Sequence, residues 1–185
     1  MKKVLVVVDM QNDFISGSLG SEDARRIVDG VVAKIKASAA DSIYVTLDSH
    51  TSGYLDTAEG RTLPVEHCIK GSWGWELHDK VRAALAEKAA SAALTEMVNI
   101  EKPNFGSYEL AERIYSRYPD DVQLEIELVG LCTDICVVTN ALLIKTKMPE
   151  ARVTVDAACC AGVTPESHEA ALLTMSKCHI GIAGQ

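Results

Sequence analysis

Short, unbroken apolar runs alternate along this chain with longer stretches in which apolar positions recur every three or four residues. The run KVLVVVD (3–9) has no polar position between its ends, the pattern of a strand covered on both faces. In EDARRIVDGVVAKIKASAA (22–40), Ile27, Val28, Val31, Val32 and Ile35 fall on one stripe at helical spacing. SIYVTLD (42–48) predicts a second strand. Helical pattern returns near 76–91, followed by the strand EMVNIEK (96–102), a helix near 107–117 and the strand VQLEIELVG (122–130). A helix over about 134–146, the strand ARVTVDA (151–157), a helix over about 165–177 and a short strand HIGIA (179–183) complete the series. Between them, 49–75 is rich in Gly, Ser, Thr and His and has no period; loops this long are uncommon and often functional.

Repeated strand–helix alternation predicts an α/β fold, a parallel sheet with helices on both faces. At 185 residues the chain reads as one domain, 1–185. In such sheets ligands bind outside the carboxyl ends of the strands, which directs attention to Asp9, Asp48, Lys102 and the segment GLCTDIC (130–136). VQLEIEL fits less well, because Glu125 and Glu127 alternate with apolar residues where a doubly covered strand would be apolar throughout.

Composition narrows the partners. The net charge is −8 and no basic run occurs, which argues against nucleic acid and against anionic lipid surfaces. No apolar run reaches the roughly 18 residues of a membrane span. The start MKKVLVVVDMQNDF has lysines and an apolar run but no long h-region or small-residue cleavage site, so it reads as a buried strand and not a signal peptide. The expected location is the cytoplasm, with the six cysteines as reduced thiols. Cys159 and Cys160 are adjacent and read as small buried hydrophobes.

Candidate chemistry sits at the strand ends. Cys136 falls in the first turn of a predicted helix, with Thr133 or Asp134 as N-cap, where the helix dipole and free N–H groups lower a thiol's pKa. Cys132 lies in the turn itself. Asp9 and Lys102 offer a carboxylate and an ammonium at neighbouring strand ends, either as partners of Cys136 or as ordinary strand-end charges. Separately, DSH (48–50) and VEHC (65–68) supply Asp48, His50 and His67. These are ligand types that suit Zn, Fe or Mn, although loop histidines are also commonly exposed.

Four stretches in order carry a resemblance: VVVDMQNDF (6–14), IEKPNFGSY (100–108), GLCTDICVVTNAL (130–142), and DAACCAG with SHEAALLTM. The chain resembles the isochorismatase-like cysteine hydrolases over nearly its whole length, and most resembles the nicotinamidase-related amidases. The resemblance implies a three-layer α/β/α domain with a six-stranded, mostly parallel sheet. It implies Asp9, Lys102 and Cys136 as the catalytic set. It also implies a cis peptide bond at Leu131–Cys132, with the Cys132 and Cys136 amides as oxyanion donors.

The match of LDSH and LPVEHCIKGSWGWEL (63–77) to the nicotinamidase branch implies a divalent metal, zinc first and iron or manganese otherwise, on Asp48, His50 and His67. Phe14, Trp75 and Phe105 are the expected aromatic walls for a small amide substrate, and a homo-oligomer is implied. Two departures stand at the substrate side. Ser49 replaces the branch's usual Trp, and the loop TSGYLDTAEGRT (51–62) differs from its proline-rich counterpart. They keep open a metal-independent N-carbamoyl amidase, a vinyl-ether hydrolase, and a catalytically silent binding or redox protein on the same fold.

Overall fold

In the computed structural model, which describes residues 1–90 and 94–185, the N-terminal apolar run becomes β1 (Lys2–Val8). A one-turn helix α1 (Asn12–Ile15) and the long α2 (Glu22–Ala37) lead to β2 (Ser42–Asp48). Next come the short α3 (Ala58–Thr62), α4 (Asp79–Ala89) and β3 (Glu96–Lys102). The second half holds α5 (Tyr108–Arg117), β4 (Leu124–Leu131), α6 (Val138–Lys147), β5 (Arg152–Ala161), α7 (Pro165–Lys177) and β6 (Gly181–Ala183). The strands form one six-stranded sheet in the order β3-β2-β1-β4-β5-β6, parallel throughout.

Local sequence sets the helix ends. The Ser21 side chain accepts from the Ala24 N–H, Glu22 and Asp23 occupy the first turn of α2, and Lys34 and Lys36 its last, matching the helix dipole at both ends. Thr164 and Ser167 cap α7 reciprocally, with Pro165 in its first turn.

The alternation of β1 divides the core into two layers. Val4, Val6 and Val8 pack with Leu110 and Ile114 of α5, Ile144 of α6 and Met175 of α7. Leu5 and Val7 pack on the other face with Val28, Val31 and Ile35 of α2 and Val81 of α4. This is why the run is apolar at every position: both of its faces are covered.

The alternation of β4 has a different cause. Leu124, Ile126 and Leu128 enter the first layer, whereas Glu125 and Glu127 lie on the other face, where charged residues meet them. Glu125 pairs with Arg152 at 2.7 Å and with Lys3 at 3.7 Å. Lys34 of α2 bridges Glu127 at 2.9 Å and Asp156 at 2.6 Å. Lys3, Glu125 and Arg152 are register partners across β1, β4 and β5, so the polar positions form a cross-strand ladder.

Other boundaries shift. The periodless stretch contains a 3-10 turn at Tyr54–Asp56 as well as α3. β5 runs on to Ala161 because its register with β4 slips between Leu128 and Gly130, which admits extra residues. α4 begins at Asp79 instead of 76, and its expected end near 91 lies outside the described residues. Among the described residues, no helix is long and apolar enough to cross a membrane.

Ile35 is fully buried beneath α2. Ile35→Ala should lower the unfolding free energy by about 2–5 kcal/mol in urea titrations, through lost burial and an unfilled cavity.

Candidate active site

From β1 the chain runs outward through β2 to β3, then returns to pair β4 with the other side of β1. The carboxyl ends of β1 and β4 therefore flank a switch point of the sheet, the usual place for a ligand in an open α/β fold. Asp9 follows β1 in a left-handed conformation, φ 47°, which a non-glycine residue adopts at a cost of about 1–3 kcal/mol. The Asp9 amide donates to the Thr46 carbonyl of β2 at 3.2 Å. The Thr46 hydroxyl donates to Asp9 Oδ1 at 2.6 Å, leaving Oδ2 2.6 Å from Lys102 Nζ at the end of β3. Lys102 Nζ also lies 3.4 Å from Cys136 Sγ and donates to the Asn104 carbonyl at 3.0 Å. All three side chains are buried.

The turn after β4 presents the thiol. Gly130 has φ +121°, and a Cβ there would stand 2.1 Å from the Val8 carbonyl oxygen, so only glycine lets β4 close against β1. The Leu131–Cys132 peptide bond is cis. Thr133–Val137 forms one π-helical turn, and the Ile135 and Val137 amides both donate to the Cys132 carbonyl, at 3.1 and 3.0 Å. Such turns recur at functional sites.

Side chains outside the turn hold it in place. His168 Nδ1 lies 2.8 Å from the Thr133 hydroxyl, and the Asp134 carboxylate accepts from the Val163 N–H at 3.1 Å. Asn140 donates to the Cys136 carbonyl at 2.8 Å and to the Phe105 carbonyl at 3.2 Å, which ties the loop after β3 to the Cys136 turn.

The electrostatics correct the expectation of an acidic thiol. Burial and the Asp9 carboxylate push the Cys136 thiol well above its ordinary value, and Lys102 only partly offsets them. Burial likewise raises Asp9 against the opposing pull of Lys102. Burial also opposes the charge on Lys102, but Asp9, Cys136 and Asp48 outweigh it and raise the ammonium's pKa. Burial and the acidic neighbours thus favour the neutral form of the thiol, beside the 2.6 Å pair of Asp9 and Lys102. A carboxylate with a raised pKa accepts a proton from a thiol more readily than an ordinary one does. Cys132 is held neutral as well, pushed to about 12 by burial and by Asp134.

A second cluster stands alongside. Asp48, His50 and His67 offer one ligand atom each, all within 4.8 Å of one another and all on buried residues. Asp48 Oδ2 is 3.0 Å from His50 Nε2 and 3.4 Å from His67 Nε2. The set fits a divalent cation on three observations. His50 Nε2 is buried and makes no hydrogen bond. His67 Nδ1 is bonded to the Val65 carbonyl at 2.8 Å, which turns its Nε2 toward the cluster. Burial disfavours charge on Asp48, yet His50, His67 and Lys102 hold its carboxyl well below the usual range, as a ligand requires.

Glu59 of α3 adds a fourth group, its Oε1 3.8 Å from both His50 Nε2 and His67 Nε2. The sequence pattern did not single it out, because nothing periodic marks the segment; the Thr57 N-cap of α3 is the one local signal near it.

The motif around Asp9 also holds this cluster. Gln11 accepts from the Asp48 N–H and donates to the Asp48 and Trp75 carbonyls, each at 2.8 Å. Asn12 donates to the Trp73 carbonyl, and Asp13 accepts from the Cys68 N–H. Three polar residues in a row thus fasten the ligand-bearing loops to the end of β1. Sequence reasoning missed all three, as it missed Thr46 and Asn140.

Cys136 and two members of the second cluster, Asp48 and His67, open onto one cavity of about 330 Å³, whose lining also includes Phe14, Glu59, Phe105 and Cys132. Phe14 and Phe105 stand where an aromatic wall was expected. Trp75 does not line this cavity: its indole N–H donates to the Ser49 hydroxyl at 2.7 Å. Ser49, at the branch's usual Trp position, is thus an acceptor for a tryptophan from the neighbouring loop.

A profile of the isochorismatase domain matches residues 3–183, and the chain belongs to that family. It is 31% identical over 147 residues to the "Uncharacterized isochorismatase family protein PncA" of Bacillus subtilis (strain 168), covering 77% of this chain and 78% of that one. The crystal structure of the nicotinamidase/pyrazinamidase PncA from Bacillus subtilis superposes with a TM-score of 0.82 at 28% identity, covering 99% and 100% of the two chains. A pyrazinamidase of Pyrococcus horikoshii solved in complex with zinc shares the fold, with a TM-score of 0.75 at 23% identity over the whole of both chains.

Hydrogen bonds and charge from Asp48 raise His67 despite its burial. Protons therefore compete with a cation for its Nε2, and binding should weaken as pH falls through that raised value. Calorimetric zinc titrations near neutral pH, in buffers of different ionisation enthalpy, should show proton release. Glu59→Gln should weaken binding by about 10–100-fold if its carboxylate supports the site.

Proposed function

We propose that the protein is a nicotinamidase-like amidohydrolase that cleaves the C–N bond of a small neutral amide through a thioester on Cys136. The convergence of Asp9, Lys102 and Cys136 beside the Asp48/His50/His67 cluster, with Cys136, Asp48 and His67 facing one cavity, carries this reading. The cavity's chemistry favours it over the two other hydrolase readings. No arginine or lysine is among the described residues that line it, so the carboxylate of an N-carbamoyl compound or a vinyl-ether acid would find no guanidinium or ammonium along the lining. A neutral aromatic amide meets Phe14 and Phe105 without burying an unpaired charge.

Asp9 takes the thiol proton as Cys136 Sγ attacks the amide carbon, and Lys102 balances the charge left between them. The carbonyl oxygen becomes an anion held by the Cys132 and Cys136 amides. Asp9 returns the proton to the amide nitrogen, the C–N bond breaks and ammonia leaves. Asp9 then removes a proton from water as it attacks the thioester, which frees the carboxylic acid and restores the thiol. Asp48, His50 and His67, with Glu59 close by, would hold a divalent cation, which supplies a Lewis acid for a ring nitrogen of the substrate. Zinc suits a donor set of two imidazoles and a carboxylate.

Cys136→Ala should abolish ammonia release from nicotinamide while keeping a cooperative unfolding transition, and retained turnover would refute the scheme. Cys132→Ala should be mild, since only its backbone is used.

Asp9→Asn separates acidity from catalysis. Removing the carboxylate takes away the larger of the two acidic influences on the thiol and leaves Lys102 beside it, so the Cys136 pKa should fall and alkylation by iodoacetamide at neutral pH should quicken. Turnover should nevertheless drop by about 10²–10⁴, the usual contribution of a positioned acid–base group.

A further inference from the structure

The cavity above Cys136 does not end where a single-ring amide would end. Its volume is about 330 Å³, inside the range of roughly 300–1,000 Å³ that accommodates drug-sized ligands, and a bare pyridinecarboxamide is much smaller. Its outer lining is apolar. Leu63, Phe105 and Val163 all line it, and each belongs to the large hydrophobic side chains that the molecule leaves exposed, at 37%, 48% and 62%. Scattered surface hydrophobes need no explanation, but three that converge on the mouth of one reactive cavity mark a binding surface.

These three side chains come from separate segments, each fixed by bonds that do not involve its own side chain. The Leu63 carbonyl accepts from the Tyr54 hydroxyl at 3.0 Å. The Phe105 carbonyl accepts from Asn140, and the Val163 N–H donates to Asp134. Backbone anchors of this kind hold an apolar rim in place without covering it.

We infer that the preferred substrate is not the bare ring but an aromatic carboxamide with an apolar substituent on the ring edge away from the scissile amide, seated on Leu63, Phe105 and Val163. The inference rests on the amidase reading proposed above. With the carboxamide at Cys136 and a ring nitrogen toward Asp48 and His67, the ring carbon meta to both faces away from both. A substituent there leaves the polar floor for the apolar rim. Burying it gains binding energy remote from the reacting bond, which an enzyme can use to raise kcat/KM. No charged side chain stands on that rim trio to favour a polar or ionic substituent.

The test is ammonia release by the native protein, loaded with zinc, from nicotinamide and its 5-methyl, 5-propyl and 5-phenyl derivatives. kcat/KM should rise along the alkyl series, by up to about three- to fourfold per buried carbon. The propyl-to-unsubstituted ratio should shrink in Leu63→Ser and in Val163→Ser. A steady fall with substituent size, while nicotinamide itself is hydrolysed, would overturn this inference and leave the amidase reading intact. A rise that both serine variants preserve would overturn the assignment to the rim. Release of ammonia from none of the four amides would overturn both readings together.

Discussion

The buried ion pair between Asp9 and Lys102 is the constraint around which the molecule is arranged. Both side chains are almost wholly out of water, with Oδ2 and Nζ 2.6 Å apart. Taking two charges into such a place costs several kcal/mol per ion unless other polar groups complete their shells. Thr46 supplies a hydroxyl to one partner and the Asn104 carbonyl accepts from the other. The parallel sheet is what makes the pair possible: β1 and β3 end at the same edge with β2 between them, so residues far apart in sequence emerge side by side. Gly130 lets β4 end tightly against β1, which delivers Cys136 to the same point. Without Lys102 the Asp9 carboxylate would stay buried with no cation beside it among the described residues, and without Asp9 the ammonium would keep only Asp48, at 3.5 Å, so the pair constrains stability and chemistry together.

Legibility in the sequence followed the scale of the signal. The six strands and the major helices were readable because burial on one face or two leaves a periodic trace over many residues. Asp9, Lys102, Asp48 and the Cys136 turn were readable as strand-end residues once a parallel sheet was inferred. Glu59 was not, since a carboxylate in a segment without a period carries no trace of what it faces. Gln11, Thr46 and Asn140 act through single hydrogen bonds to backbone or side chains distant in sequence, and no local pattern encodes those partners. The misplacement of Trp75 has the same origin: an aromatic near a ligand-bearing loop is as consistent with a hydrogen bond to Ser49 as with a cavity wall.

The pKa of Cys136 shows where local rules fail. A cysteine at a helix start is acidic when the dipole acts in a partly solvated setting. Here the thiol is buried against carboxylates, and both effects favour the neutral form. A helix start favours the thiolate, but burial and the neighbouring carboxylates outweigh it here. Burial raises Asp9 as it raises the thiol, so the two groups shift in the same direction. In a proton transfer between them, the raised Asp9 thus offsets part of the raised thiol.

Asp48 joins the two halves of the site. It belongs to the His50/His67 cluster, yet its Oδ1 lies 3.5 Å from Lys102 Nζ, and its charge is among the influences that raise Cys136. Two carboxylates, Asp9 and Asp48, thus flank Lys102. A divalent cation held by Asp48 and the two histidines would neutralise the Asp48 field at the thiol and leave more of the Lys102 charge to face Cys136. The sign of both changes favours the thiolate. On this geometry the two clusters form one electrostatic unit, joined through Asp48, which faces both histidines and Lys102.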